Sequence, residues 1–326
     1  MSACQLITIL GPTACGKTAV ATRLAAELTM QAIEPTTAAA EIISADSRQV
    51  FKGMDIGTGK DLSDYDITVR HHGEEVRLHI PYHLIDIAEA GTKYSVFEFQ
   101  RDFHQAYNKI CSRACKPILC GGTGLYIESI LRGYNLVEVP VNTALRTQLE
   151  GKELSELKEI LASYKKLHNT TDVDTTRRAI RAIEIEAYYQ THHLEKSNTY
   201  PALTSLTIGL DIPRELRRKR ISERLHRRLE EEDMAGEVQR LLDSGIPAEA
   251  LISYGLEYRY LTLYLTGELS YDEMVKRLEI AIHQFAKRQM TYFHGMERRG
   301  ITIHWIDAAR AVDDIVQEIL RDGLGT

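Results

Sequence analysis

The chain has 326 residues, 44% hydrophobic and 26% charged, with a formal net charge of -6. This balance excludes disordered, collagen-like and coiled-coil classes, and the length supports about two domains with a sizeable core. No apolar run approaches the roughly 18 residues of a bilayer-spanning helix and no basic leader precedes the first strand-like run, so a cytoplasmic protein without a membrane partner is expected.

Gln5–Leu10 reads as a buried strand and Lys17–Leu28 as an Ala-rich helix with apolar spacing near 3.6. A second short strand, Glu41–Ala45, runs into Asp46, and the Pro35–Ala40 tract before it reads as a surface loop. Ile67 to His79, interrupted at His72-Gly73-Glu74, has the alternation of a small hairpin. Ser95 with Glu98 forms a capping box that opens a helix bearing Phe99, Phe103, Tyr107 and Ile110 on one side. Lys116–Cys120 is a third strand, ending in the glycine-rich loop Gly121-Gly122-Thr123-Gly124. From about Val141 to Gln190 the pattern is helical, with no convincing strand. Strand character returns at Leu206–Ile212, helices follow from Arg214, Asp233 and Ser270, and Thr302–Ile306 is a last strand before a C-terminal helix. Alternation of strands and helices favours a parallel sheet.

The five cysteines, Cys4, Cys15, Cys111, Cys115 and Cys120, are odd in number and lack C-x-x-C pairing, which suits a reducing compartment. Neither Cys111 with Cys115 nor the doublets His71-His72 and His192-His193 has partners at ligand spacing, so no zinc site is expected. Trp305, the single tryptophan, reads as core or strand edge.

Gly11-Pro-Thr-Ala-Cys-Gly-Lys17-Thr18 matches G-x-x-x-x-G-K-S/T between the first strand and the first helix. Glycine lets backbone amides turn inward on an anion, the helix N-terminus adds partial positive charge, Lys17 supplies a mobile cation and Thr18 a hydroxyl for Mg²⁺. A polyphosphate site is therefore expected on Gly11, Pro12, Thr13, Ala14, Cys15, Gly16, Lys17 and Thr18. Asp46, at the carboxyl end of the second strand, lies where open α/β sheets bind ligands. It is a candidate base or metal ligand, or alternatively a helix N-cap. Between Arg214 and Arg228 the chain reads RELRRKRISERLHRR, eight basic residues against two acidic. On a helical wheel Arg217, Arg220, Arg224, Arg227 and Arg228 share one sector beside Ile221, Leu225 and Leu229, so one stripe should pack and the other meet phosphates, the alternative being a solvated amphipathic face.

These residues combine with Ser44-Ala-Asp-Ser-Arg-Gln49, Met54-Asp-Ile-Gly-Thr58, His83-Leu-Ile-Asp86, Gly121-Gly-Thr-Gly-Leu-Tyr-Ile127 and Ala286-Lys-Arg-Gln-Met-Thr291. In colinear order over nearly the whole chain, they closely resemble the tRNA dimethylallyltransferase (tRNA isopentenyltransferase) family of bacterial type. The resemblance implies an α/β fold, a P-loop-type parallel sheet flanked by helices. Residues 1–135 and 201–326 would form the core, and 136–200 a mostly helical insertion domain that contacts tRNA. It implies transfer of a dimethylallyl group from dimethylallyl pyrophosphate, held by the P-loop with Mg²⁺, to the exocyclic amine of the adenosine 3′ of the anticodon. Asp46 would be the general base, with Lys17 and Arg224 on the pyrophosphate. Asp46, Ser47, Arg48, Gln49, Thr123, Arg177, Arg178 and Arg181 would meet the tRNA anticodon stem-loop, and the chain would act as a monomer.

Three departures stand out. Cys15 replaces a common Ser, Ser253-Tyr-Gly-Leu-Glu-Tyr-Arg259 replaces a G-Y-K/R-E pattern, and the segments near 29–40 and 61–79 are long. A small-molecule kinase using ATP on the same loop is the alternative, and a nucleotide-gated RNA-binding module a third reading; the Arg177–Arg181 cluster speaks against the kinase and Asp46 against the third.

Overall fold

The computed structural model describes residues 5–31, 39–71, 73–164, 175–192 and 200–323. The chain divides into two compact units, Asn135–Tyr200 and the remainder.

In the larger unit, β1 (Leu6–Leu10) leads through the glycine-containing loop into α1 (Lys17–Met30), and β2 (Ala40–Ser44) follows. Most of the Pro35–Ala40 tract lies outside the described residues. The expected hairpin is present as β3 (Asp66–His71) and β4 (Glu74–His79), paired antiparallel. Next come β5 (Tyr82–His83), too short for a hydrophobic pattern to reveal, then α2 (Val96–Ser112), β6 (Lys116–Gly121) and α3 (Gly124–Leu131). Both expected capping boxes form, Ser95 with Glu98 at α2 and Ser270 with Glu273 further on.

The insertion contributes α4 (Thr143–Leu149), α5 (Leu154–Tyr164) and α6 (Thr176–Thr191), packed on a small core of Leu149, Leu157, Leu161, Ala179 and Ile183. The chain then returns as β7 (Ser205–Asp211), followed by α7 (Arg214–Glu230), α8 (Met234–Asp243), α9 (Ala248–Ser253), α10 (Leu256–Leu265) and α11 (Tyr271–Arg298). It ends with β8 (His304–Asp307), α12 (Val312–Glu318) and a π-helical turn at Ile319–Gly323.

The main sheet has six strands in the order β5-β2-β6-β1-β7-β8, and every neighbouring pair is parallel. Parallel sheets of this kind bury both faces, which explains why β1, β2 and β6 read as continuous apolar runs. Alternate residues serve opposite cores: Ile7, Ile9, Ile42 and Ile118 pack with α1 and α12, while Leu6, Leu10, Ile43 and Leu119 pack with α2, α3 and the end of α11. A third core joins α7 to α11 around Val50, Phe51 and Met54. Helix α11, 28 residues long, lends Met274, Leu278, Ile282 and Ala286 to this third core and Met290, Phe293 and Met296 to the second.

Because all six strands run the same way, the loops after β1, β2 and β6 emerge at one edge of the sheet. The sites expected at the P-loop, at Asp46 and at Thr123 therefore share that edge, the usual ligand-binding crevice of such sheets.

Candidate active site

The phosphate loop is held open by two left-handed residues, Ala14 at φ 63° and Gly16 at φ 87°. A left-handed conformation costs a non-glycine residue such as Ala14 of order 1–3 kcal/mol and persists where surrounding structure overdetermines it. Alternation of left- and right-handed residues turns successive amides toward one concavity, an anion nest. Lys17 Nζ donates to the Pro12 carbonyl at 2.8 Å and reaches Cys15 Sγ at 3.9 Å, so the ammonium lies over the loop. Arg224, from α7, donates through Nη2 to Thr13 Oγ1. Burial, with Arg228 beside it, pulls the Arg224 guanidinium down to about 10, so it stays cationic at neutral pH. The Thr18 hydroxyl makes no hydrogen bond among the described residues and remains available as a hard oxygen donor.

Asp46 follows β2. Its Oδ1 accepts the Arg48 amide at 2.8 Å, an Asx turn, and residues 47–50 are turn and not helix, so the N-cap alternative falls away. Its second oxygen has no hydrogen bond among the described residues. The loops after β2 and β6 are clipped together: Ala45 N donates to Cys120 O at 2.7 Å, Thr123 N to Ala45 O at 3.1 Å, and Ser47 N to Thr123 Oγ1 at 3.1 Å. Thr123 and Ser47 thus stand directly beside Asp46. Arg48 is driven down by burial and drawn back up by Asp46, and it donates to the Ser253 carbonyl at 3.4 Å.

Other expected residues are committed to the protein. Gln49 accepts from Ser44 Oγ at 2.8 Å and donates to Gly59 O at 3.0 Å, using both ends of its amide. Arg181 pairs with the buried Glu184, which also takes Arg146, and donates to Val139 O. Arg177 and Arg178 lie exposed at the start of α6. Four arginines of the α7 stripe have partners within the protein. Arg217 pairs with Asp211, Arg220 donates to Ala308 O, Arg227 pairs with Glu232, and Arg228 is buried against Asp61 and Glu232. Of that sector only Arg224 faces the phosphate loop; Arg214 and Arg218, outside it, remain exposed.

Sequence reasoning missed several residues that build the site. Glu237, buried on α8, accepts the amides of Asp55, Ile56 and Gly57 at 2.9, 2.7 and 3.1 Å and the Tyr258 hydroxyl at 2.6 Å. Lys60, also buried, donates to Phe51 O, Asp55 and Asp86, which ties the Met54-Asp-Ile-Gly-Thr58 and His83-Leu-Ile-Asp86 segments together. Gln289, within Ala286–Thr291, accepts the Thr13 amide at 2.8 Å and donates to Gly122 O at 3.0 Å. Its motif was visible in the sequence but its role was not. Glu257 shares a water-sized cavity of about 10 Å³ with Arg224 and Arg228, and burial pushes its carboxyl up. Burial pushes the Cys120 thiol up to about 12, so it stays protonated at neutral pH. No cluster of three or more His, Cys, Asp or Glu that could hold a metal exists among the described residues, and no helix among them is long and apolar enough to cross a membrane.

A nest at the end of β1, an arginine on its rim and a carboxylate at the end of a nearby parallel strand define a P-loop-type α/β enzyme. Residues 49–296 match the model of the IPP transferase family, and the chain belongs to that family. It is 59% identical to tRNA dimethylallyltransferase 2 of Bacteroides fragilis over 95% of each chain. It is 57% identical to tRNA dimethylallyltransferase 2 of Phocaeicola vulgatus over 97% of this chain and 96% of that one. The crystal structure of full-length tRNA isopentenylpyrophosphate transferase from Bacillus halodurans superposes with a TM-score of 0.67 at 29% identity, covering 99% of this chain and 96% of that one.

Proposed function

We propose that this chain transfers the dimethylallyl group of dimethylallyl pyrophosphate to the exocyclic N6 amine of the tRNA adenosine 3′ of the anticodon, releasing pyrophosphate. The observation that carries the reading is the shared edge: an anion nest gripped by Lys17 and Arg224, with Asp46 presenting one unengaged carboxylate oxygen two strands away. An adenine amine is a weak nucleophile and gains from a base that takes its proton as the new bond forms. In the balanced step, the amine nitrogen bonds the first prenyl carbon, the carbon–oxygen bond to pyrophosphate breaks, and the amine proton passes to Asp46. Charge gathering on the leaving pyrophosphate is met by Lys17, Arg224 and the loop amides. Thr18 fits Mg²⁺, which keeps several waters and prefers one or two protein oxygens alongside phosphates; bound there, it would neutralise leaving-group charge.

To reach Asp46 the adenine leaves its stack, and Ser47, Arg48 and Thr123 form the rim it would pass. Arg177 and Arg178 are proposed to contact phosphates of the anticodon stem-loop, whereas Gln49 and Arg181 support the protein's own loops. The chain is proposed to act as a monomer on cytoplasmic tRNA. A small-molecule kinase has no use for the exposed Arg177 and Arg178, and the family membership speaks against it.

The test is nucleoside mass spectrometry of unmodified tRNA after incubation with the protein, dimethylallyl pyrophosphate and Mg²⁺. The expected product is adenosine carrying one dimethylallyl group on N6; unmodified adenosine with an active relative as positive control would refute the reading.

A further inference from the structure

Gln289 lies on α11 where the helix passes from the third core to the second, and it is 7% exposed. Its Oε1 takes the Thr13 amide of the phosphate loop at 2.8 Å, and its Nε2 donates to the Gly122 carbonyl of the loop after β6 at 3.0 Å. A neutral amide accepts at one end and donates at the other whatever the pH. Glu could accept but not donate when ionised, and Lys the reverse. The fit extends to the glycines: a Cβ on Gly122 would lie 2.5 Å from Gln289 Nε2, and one on Gly124 would lie 2.3 Å from the Tyr292 ring one turn further along α11.

Thr13 is consequently held twice, its backbone by Gln289 and its hydroxyl by Arg224. Its amide points at Gln289, so the anion nest begins with later amides. From Gly122 the connection continues through Thr123 Oγ1 to Ser47 N, adjacent to Asp46. We propose that Gln289 is a positioning residue that clasps the phosphate loop to the Gly121–Gly124 loop and so sets the spacing between the donor's pyrophosphate and the Asp46 carboxylate. This rests on the functional reading above for its catalytic consequence, but the clasp acts on pyrophosphate binding whatever the acceptor.

The experiment compares wild type, Gln289→Ala, Gln289→Glu and Gly122→Ala with Gln100→Ala. Gln100 is another buried glutamine bridging two carbonyls, Ser129 O and Tyr134 O, and has no part in the phosphate loop. Two readouts are taken well below each variant's melting temperature: affinity for Mg²⁺-pyrophosphate by calorimetry, and steady-state prenyl transfer. Gln289→Ala is expected to weaken pyrophosphate by roughly tenfold and lower kcat further, since misplacement by about 1 Å can cost 10²-fold in rate. Gln289→Glu, when ionised, can accept from Thr13 but cannot donate to Gly122 and sets a negative charge beside the phosphate loop, so it should not restore pyrophosphate affinity and kcat should stay low. Gly122→Ala, which pushes the amide aside without removing it, should resemble Gln289→Ala. Unchanged pyrophosphate affinity in Gln289→Ala and Gly122→Ala overturns the proposal, as does a wild type that binds no pyrophosphate. So does a Gln289→Ala variant that differs from wild type only as Gln100→Ala does, in melting temperature. If wild type binds pyrophosphate but prenylates no tRNA, the functional reading fails while the calorimetry still decides the role of Gln289.

Discussion

Replacing Asp46 by Asn separates two roles that its two oxygens play. Oδ1 accepts the Arg48 amide at 2.8 Å and shapes the turn, whereas the second oxygen is the proposed proton acceptor. Asn keeps the first function: its carbonyl can still accept from Arg48 N, and exchanging a charged acceptor for a neutral one costs about 1 kcal/mol. It abolishes the second, because an amide cannot take the proton. The loss of a general base usually costs about 10²–10⁴-fold, or roughly 2.7–5.5 kcal/mol at 1.36 kcal/mol per factor of ten. Asp46→Ala loses both, so it should be as slow as Asn in the chemical step and additionally loosen the Ser47–Thr123 clip. The assay is single-turnover prenyl transfer with enzyme and dimethylallyl pyrophosphate saturating, which isolates chemistry from product release, with tRNA affinity measured separately. Asp46→Asn turning over within a few-fold of wild type would refute the base assignment and leave Asp46 as a turn former.

Three further outcomes follow from particular contacts. Because the guanidinium of Arg224 is pulled down to about 10, its contribution to pyrophosphate affinity should be constant around neutral pH and be lost as pH rises through about 10; Arg224→Gln should bind more weakly at neutral pH and show a shallower fall, by calorimetry across pH. Glu237→Ala strands the amides of Asp55, Ile56 and Gly57 and the Tyr258 hydroxyl, so urea denaturation should show a loss on the order of 3 kcal/mol or more, with Glu237→Gln milder. Arg177→Ala, at the exposed start of α6, should reduce the salt slope of tRNA binding by about one unit. Arg217→Ala and Arg227→Ala, paired with Asp211 and Glu232, should leave that slope unchanged; fluorescence titration over a salt series distinguishes them.

What the sequence made legible was local. The β1 strand, the phosphate loop and α1 are contiguous, and both capping boxes lie within four residues, so pattern and chemistry coincide there. The β3–β4 hairpin shows because adjacent strands alternate in register. Asp46 and Thr123 could be placed because strand ends in a parallel sheet share an edge. The contacts that escaped link distant positions: Gln289 to Thr13 across 276 residues, Glu237 to the 55–57 amides across about 180, and Arg228 to Asp61 across 167. The partners of the α7 stripe were hidden for the same reason: a helical wheel locates a face but not what lies against it, here Asp211 and Ala308 O for Arg217 and Arg220 and Asp61 for Arg228.

On the proposed function, this phosphate loop serves the pyrophosphate of a prenyl donor and not ATP. This is tested most directly by following prenyl-adenosine and pyrophosphate together in a reaction containing tRNA, dimethylallyl pyrophosphate and Mg²⁺ but no nucleotide triphosphate. The two products should appear one for one without ATP, and added ATP should act only as a competitor. Prenyl transfer that stops without ATP, or ADP formed in step with turnover, would contradict the proposed function.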